Sequence, residues 1–234
     1  MTVHLAGALA EMGYRVAIFD CDSQGDLSAV LLADHEKLPY TLADLFAGTG
    51  ILTKELLQRT AYENIVVIPA DHRLNLVDKT HGFERDRSVT ALADAVSEIE
   101  CDFDFILFDC PPRPHLSGFA ALVAAREVIV PCQPSQFSVR SMVTLHEEIR
   151  TVQQSLNPNL KIRGYFLSLV PPRSRIQETC RQLLVERLWT PAMIRGPVKP
   201  SVGGMEGTTG PASALCTAWD GAFLRTFPLP RSCF

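Results

Sequence analysis

The stretch RVAIFDCDSQGDLS, Arg15 to Ser28, ends an apolar run, Val16-Ala17-Ile18-Phe19, in two acids, Asp20 and Asp22, and a Gln24-Gly25 turn. A short unbroken apolar run of this kind marks a strand buried on both faces. Acids gathered at the end of such a strand commonly face a metal or a phosphate, because ligands of open α/β sheets sit beyond the carboxyl ends of the strands. Upstream, Thr2–Met12 carries apolar residues at 5, 6, 9 and 12, one face of a helix, and Gly13 is placed to cap it.

Downstream the alternation repeats. IVVIPA (65–70), FDFILFD (103–109), EVIVPCQP (127–134) and KIRGYFLSLV (161–170) read as strands. Stretches near 41–47, 51–60, 87–99, 115–125, 136–156 and 173–188 read as helices. Strands separated by helices imply parallel pairing, so the expected fold is α/β, a mostly parallel sheet with helices on both faces. Asp20, Asp22 and Asp109 then share its carboxyl edge.

Composition narrows the class. The 234 residues suffice for one domain with a proper core. An apolar share of 47% with 21% charged residues is ordinary for a soluble globular chain. A net charge of −4 gives no general argument for nucleic acid. No apolar run approaches the roughly 18 residues of a membrane span. The first residues include His4 and Glu11 and no basic region, so they do not read as a signal peptide. Seven cysteines without a C-x-x-C pair argue against a disulfide framework or a zinc site, and the six histidines show no ligand spacing. The chain reads as cytosolic, with reduced thiols. Cys21, Cys110 and Cys132 read as small buried hydrophobes, and Arg113, Arg140, Arg173 and Arg175 as solvated charge.

The chain changes character at Trp189. Residues 189–234 hold six Gly, six Pro and both tryptophans, without a sustained period. They are set apart from residues 1–188 as an atypical tail, with three readings open: an irregular tail, a linker, or a shifted reading frame.

FDFILFDCPP, Phe103 to Pro112, is the second acidic strand end, with Asp109 followed by Cys110 and two prolines. A carboxylate so placed orients the water shell of a magnesium ion in the Walker B arrangement, and the prolines stiffen the turn behind it. TVHLAGALAEMGYRVAIFDCDSQGDLS resembles the segment directly after the P-loop in the ParA/Soj/MinD group of deviant-Walker-A ATPases, a V-N-L-A-x-x-L-A-x-x-G helix and a strand ending D-x-D-x-Q-G-N. The likeness continues in order through VIPA (67–70), FDFILFDCPP and VIVPCQPSQFSVRSM (128–142), where Gln136 stands for the family's Glu. TLADLFAG (41–48) is similar to a short family helix. The likeness covers roughly residues 1–188 and points to the ParA/Soj partition branch.

The resemblance implies an ATPase that binds ATP and Mg2+, forms an ATP-dependent homodimer, binds DNA non-specifically in that state, and is released when a ParB-like protein stimulates hydrolysis. It implies a cytoplasmic, nucleoid-associated protein without a membrane anchor. Asp22 matches the acid that positions the attacking water. Asp20 lies near the magnesium shell, and Asp109 matches the Walker B acid. Ser168, Pro171 and Arg173 fall where the family holds the adenine base, although Ser168-Leu169-Val170-Pro171-Pro172-Arg173 replaces the usual Thr or Asn with a following Met or Arg. The family's K-G-G-x-G-K-T-T would precede Met1, taking the central first strand and the P-loop lysines with it. Two expectations follow: an open slot in the sheet, and a chain defective in ATP binding as written. The alternatives are a non-catalytic fragment or adaptor that keeps a dimer or partner surface, and another MinD-type regulatory ATPase. LRTFPLPRSCF (224–234) is too broken by proline for a membrane helix.

Overall fold

The computed structural model describes residues 1–80, 85–111, 115–132, 136–167, 179, 182, 194–195 and 221–226. Eight strands form one sheet: β1 (Val16–Asp20), β2 (Gln58–Arg59), β3 (Ile65–Ile68), β4 (Phe105–Cys110), β5 (Glu127–Cys132), β6 (Lys161–Leu167), β7 (Ile194–Arg195) and β8 (Gly221–Thr226). Their order is β2-β3-β1-β4-β8-β5-β6-β7. The pairs β1–β3, β1–β4, β5–β6 and β6–β7 are parallel.

The helices are α1 (Thr2–Glu11), α2 (Asp26–Leu31), α3 (Leu42–Phe46), α4 (Thr53–Leu56), α5 (Leu74–Thr80), α6 (Arg85–Ile99), α7 (Leu116–Ala124) and α8 (Gln136–Ser155). Alternation along β1 distributes them over both faces. Val16 and Ile18 join Ala6, Leu27 and Leu31 in one cluster, under α1 and α2. Ala17 and Phe19 join Leu42, Leu92, Val96, Ala120 and Ile149 in the other, under α3, α6, α7 and α8. All five residues of β1 are buried, which is why the sequence there is a run and not an alternation. The α/β expectation holds.

Gly13 ends α1 at a φ of +86°, with its N–H on the Ala10 carbonyl and that of Tyr14 on Leu9. The helix expected over 51–60 is shorter. It stops at Leu56, and Gln58–Arg59 pairs antiparallel with Val66 and Val67 at the sheet edge. Asp26–Leu31 and Leu74–Thr80 are helices that periodicity missed. Most of the stretch expected as a helix over 173–188 lies outside the described residues.

The position between β4 and β5 corrects the expectation of an open slot. It is held by Gly221–Thr226, which runs antiparallel to both neighbours. Two segments of the sequence-irregular tail, β7 and β8, thus join the sheet. Backbone groups in the middle of a sheet must be paired, and a distant segment does this here.

Candidate active site at the carboxyl edge of the sheet

Parallel register brings the two acidic strand ends together. Asp20 and Asp109 are direct partners across β1 and β4, and the Cys21 N–H donates to the Asp109 carbonyl at 2.8 Å. Asp20 is wholly buried and Asp109 nearly so. The Asp20 carboxylate accepts from the Ser28 N–H at 2.9 Å and the Ser28 hydroxyl at 2.6 Å on one oxygen. Its other oxygen accepts from the Asp22 N–H at 3.2 Å. The Ser28 hydroxyl in turn accepts from the Ala70 N–H at 3.0 Å. A chain of hydrogen bonds therefore ties the end of β1 to α2 and to the turn after β3. Burial raises the Asp20 carboxyl from its ordinary 3.8 to about 7, and the three donated hydrogen bonds only partly offset this.

Asp22 stands one turn beyond, half-buried, at the head of a tight bend. Its side chain accepts from the Gln24 N–H at 3.0 Å, and its carbonyl from the Gly25 N–H at 2.9 Å. Gly25 adopts a φ of +64°, and a Cβ there would lie 3.2 Å from the Ala70 carbonyl oxygen. Glycine at position 25 is thus required by both conformation and space. Ser23 donates to Asn75 on α5 at 2.9 Å, which fixes the outer side of the bend.

Beyond Ala70, Arg73 clamps both Asp44 oxygens at 2.9 and 2.8 Å and one Asp71 oxygen at 2.8 Å. Thr41, which caps α3, donates to Asp71 at 2.9 Å. Burial raises the Asp71 carboxyl, but the Arg73 hydrogen bonds outweigh it and hold the group below its ordinary value. This network locks the TLADLF helix against the edge that carries Asp20.

The structure brings Asp20, Asp22 and Asp109 to one edge, as the sequence implied. Ser168, Pro171 and Arg173 lie outside the described residues. Ser28, Thr41 and Arg73 were not foreseen. Ser28 had one faint signal, a small polar residue facing inward from the helix that the Gly25 turn begins. Cys21 and Cys110 are buried in mutual contact, and burial pushes both thiols up, so they are poor nucleophiles. Among the described residues no three His, Cys, Asp or Glu side chains converge to hold a metal ion directly. No helix of the described residues is long and apolar enough to cross a membrane.

A family described as AAA domain matches residues 1–162. The chromosome-partitioning ATPase Soj of Treponema pallidum is 31% identical over 182 residues, covering 77% of this chain and 70% of that protein. The chain belongs to the ParA/Soj partition ATPase family. It spans 58% of the length of an uncharacterized Mycobacterium tuberculosis protein that is 30% identical over 186 residues, 80% of this chain. Among solved structures, a cobyrinic acid a,c-diamide synthase from Mycobacterium smegmatis, with a bound ATP analog and magnesium, superposes with a TM-score of 0.72 at 30% identity. That match covers 79% of this chain and 75% of the other. The paired acids and the Gly25 bend thus sit in a ParA-type fold.

Proposed function

We propose that the protein works as a ParA-like ATPase in plasmid or chromosome partitioning, a MgATP-dependent dimerising switch that binds DNA and is reset by a ParB-like partner. The observation that carries this reading is the register pairing of Asp20 with Asp109 beside the Gly25 bend that aims Asp22. In the cell such a switch would act in the cytoplasm on the nucleoid.

The donor set fits a hydrated magnesium ion held through its own waters, since magnesium gives up water reluctantly and needs few protein oxygens. Asp109 is the better placed acceptor for such waters. Asp20 has both oxygens engaged by Ser28 and Asp22, so its role is to hold the Asp22 bend behind the shell. Magnesium, when bound with ATP, supplies charge neutralisation on the phosphates. Asp22, half-buried and fixed through its own backbone, orients the attacking water and accepts its proton.

The test is phosphate release by the full-length protein, with and without DNA, alongside nucleotide binding. Asp22→Ala should keep ATP binding and lose turnover by about a hundred- to thousand-fold, the usual effect of deleting one well-placed catalytic group. Asp109→Asn should weaken binding in magnesium and leave the magnesium-free background unchanged. Normal turnover in Asp22→Ala would reject the role assigned to that residue.

A second reading is favoured by one observation. Ala222 of β8 is the register partner of Asp109 on one side and Ile129 on the other, so the tail backbone stands beside the acidic edge. A chain held in this form would serve as a non-catalytic adaptor that keeps a partner surface. Absence of ATP binding together with retained self-association or partner binding would select it.

A further inference from the structure

Ser117 is buried in the first turn of α7, yet no side chain caps that helix. A serine at a helix start commonly turns back onto the N–H groups of its own first turn. Ser117 instead reaches a residue 96 positions away, donating from its hydroxyl to the Cys21 carbonyl at 2.9 Å. That carbonyl and the Asp22 N–H belong to one peptide unit, and the Asp22 N–H is given to the Asp20 carboxylate at 3.2 Å. A peptide unit is planar, so holding its oxygen and its N–H fixes the plane from which Asp22 departs. The preceding unit is held too, since the Cys21 N–H donates to the Asp109 carbonyl at 2.8 Å. Both backbone groups of Cys21, the residue between the two acids, are thus bound by β4 and by the helix that follows it. That helix is itself anchored. Ala120, Ala121, Leu122 and Ala124 are buried, and the Asn157 side-chain amide donates to the Leu122, Val123 and Ala125 carbonyls at 3.0, 3.0 and 2.6 Å.

We propose that Ser117 is a positioning residue for Asp22, its hydroxyl being the link through which α7 sets where that carboxylate points. The bend needs such a link. Asp22 and Ser23 are only half-buried and Gln24 is exposed, so packing does little to hold them and hydrogen bonds decide their place. Ser23 with Asn75 restrains the outer side of the bend, and Ser117 restrains its root. Without the hydroxyl, the Cys21–Asp22 peptide loses the hold on its oxygen and can tilt about the Asp20 contact. A carboxylate that orients a water tolerates little of this, since a displacement of about 1 Å can cost about a hundredfold in rate. The catalytic half of this inference rests on the proposed ATPase reading. The ordering of the bend by Ser117 does not.

Backbone amide exchange, followed residue by residue by NMR on the full chain, tests the link directly. In Ser117→Ala the Asp22, Gln24 and Gly25 amides should exchange at least about tenfold faster, the scale of losing one buried hydrogen bond. Ala17, Ile18 and Leu122, inside β1 and α7, should keep their protection. Ser117→Thr retains the hydroxyl and should restore the slow rates. Phosphate release by the full-length protein should show kcat lowered about tenfold to a hundredfold in Ser117→Ala, with KM for ATP unchanged, and recovered in Ser117→Thr. Unchanged exchange in the bend would overturn the proposal. So would acceleration spread evenly over β1 and α7, the mark of a helix that is merely loosened. A kcat of wild-type size in Ser117→Ala, or a loss confined to KM, would overturn the positioning role. Absence of turnover in the wild type would reject the ATPase reading and not the link, which the exchange pattern decides by itself.

Discussion

Asp20→Asn isolates the electrostatic cost built into the edge of the sheet. In the wild type the carboxyl is displaced from 3.8 to about 7 by burial. At about 1.4 kcal/mol per tenfold, keeping it ionised in the fold costs about 4 kcal/mol once the pH lies above both values. The raised value means that the folded state holds the proton more tightly than the unfolded chain. Stability from this group is therefore full below about 3.8 and is lost as the pH rises through about 7. Asparagine keeps the acceptor for the Ser28 N–H and hydroxyl but turns an amide NH2 toward the Asp22 N–H. That donor–donor contact costs the same at every pH, so it cancels from the pH dependence. Denaturant unfolding of both proteins at pH 5 and pH 8 should show the variant gaining about 2–3 kcal/mol on the wild type across that interval. A difference independent of pH would refute the burial argument. A difference of opposite sign would mean that a positive charge faces Asp20.

Three further substitutions probe the supports of the site. Ser28→Ala removes the acceptor of the Ala70 N–H and the hydroxyl's hydrogen bond to Asp20, leaves the backbone N–H bond in place, and should cost about 1–3 kcal/mol in unfolding free energy while moving the Asp20 titration further upward. Carbon-13 NMR of the labelled carboxyl would follow that movement; a downward shift would contradict it. Gly25→Ala meets a φ of +64° and a 3.2 Å contact with the Ala70 oxygen, so thermal unfolding should show a loss of about 1–2 kcal/mol. An unchanged melting temperature would show that the bend is not constrained. Arg73→Ala removes the clamp on Asp44 and Asp71; with a side chain 41% exposed and screened by water, its loss should cost about 1–2 kcal/mol. Hydrogen exchange should then speed up in α3, and unchanged protection there would discount the clamp.

Much of the layering was legible because burial on both faces leaves a direct imprint on β1 and β4. Val16–Phe19 and Phe105–Phe108 are apolar at every step, and the acids that end both runs are themselves buried at the carboxyl edge of the sheet. The stretch at 51–60 misled because its leucines suit either period. There the Glu98 carboxylate from α6 accepts the Thr53 N–H at 2.9 Å and starts a one-turn helix, while β3 draws Gln58 and Arg59 into the sheet. The first influence comes from a residue 45 positions along the chain, the second from the pairing of the next strand. Thr41, Asp44, Asp71 and Arg73 were equally illegible, since their meeting depends on α3 and the turn after β3 being neighbours.

The residues alone determined the alternating α/β order, the burial of β1 and β4, the glycine bend after Asp22, and the presence of acids at two strand ends. These are local consequences of side-chain polarity and backbone freedom, which act within a few residues. Tertiary structure alone decided that Asp20 and Asp109 are register partners and that Ser28 secures the first of them. It also decided that Gly221–Thr226, in a stretch with no strand period, lies antiparallel in the middle of the sheet. The reason is that backbone hydrogen bonding is blind to sequence: β4 and β5 each present a row of unspent donors and acceptors, and whatever extended segment can reach them satisfies it.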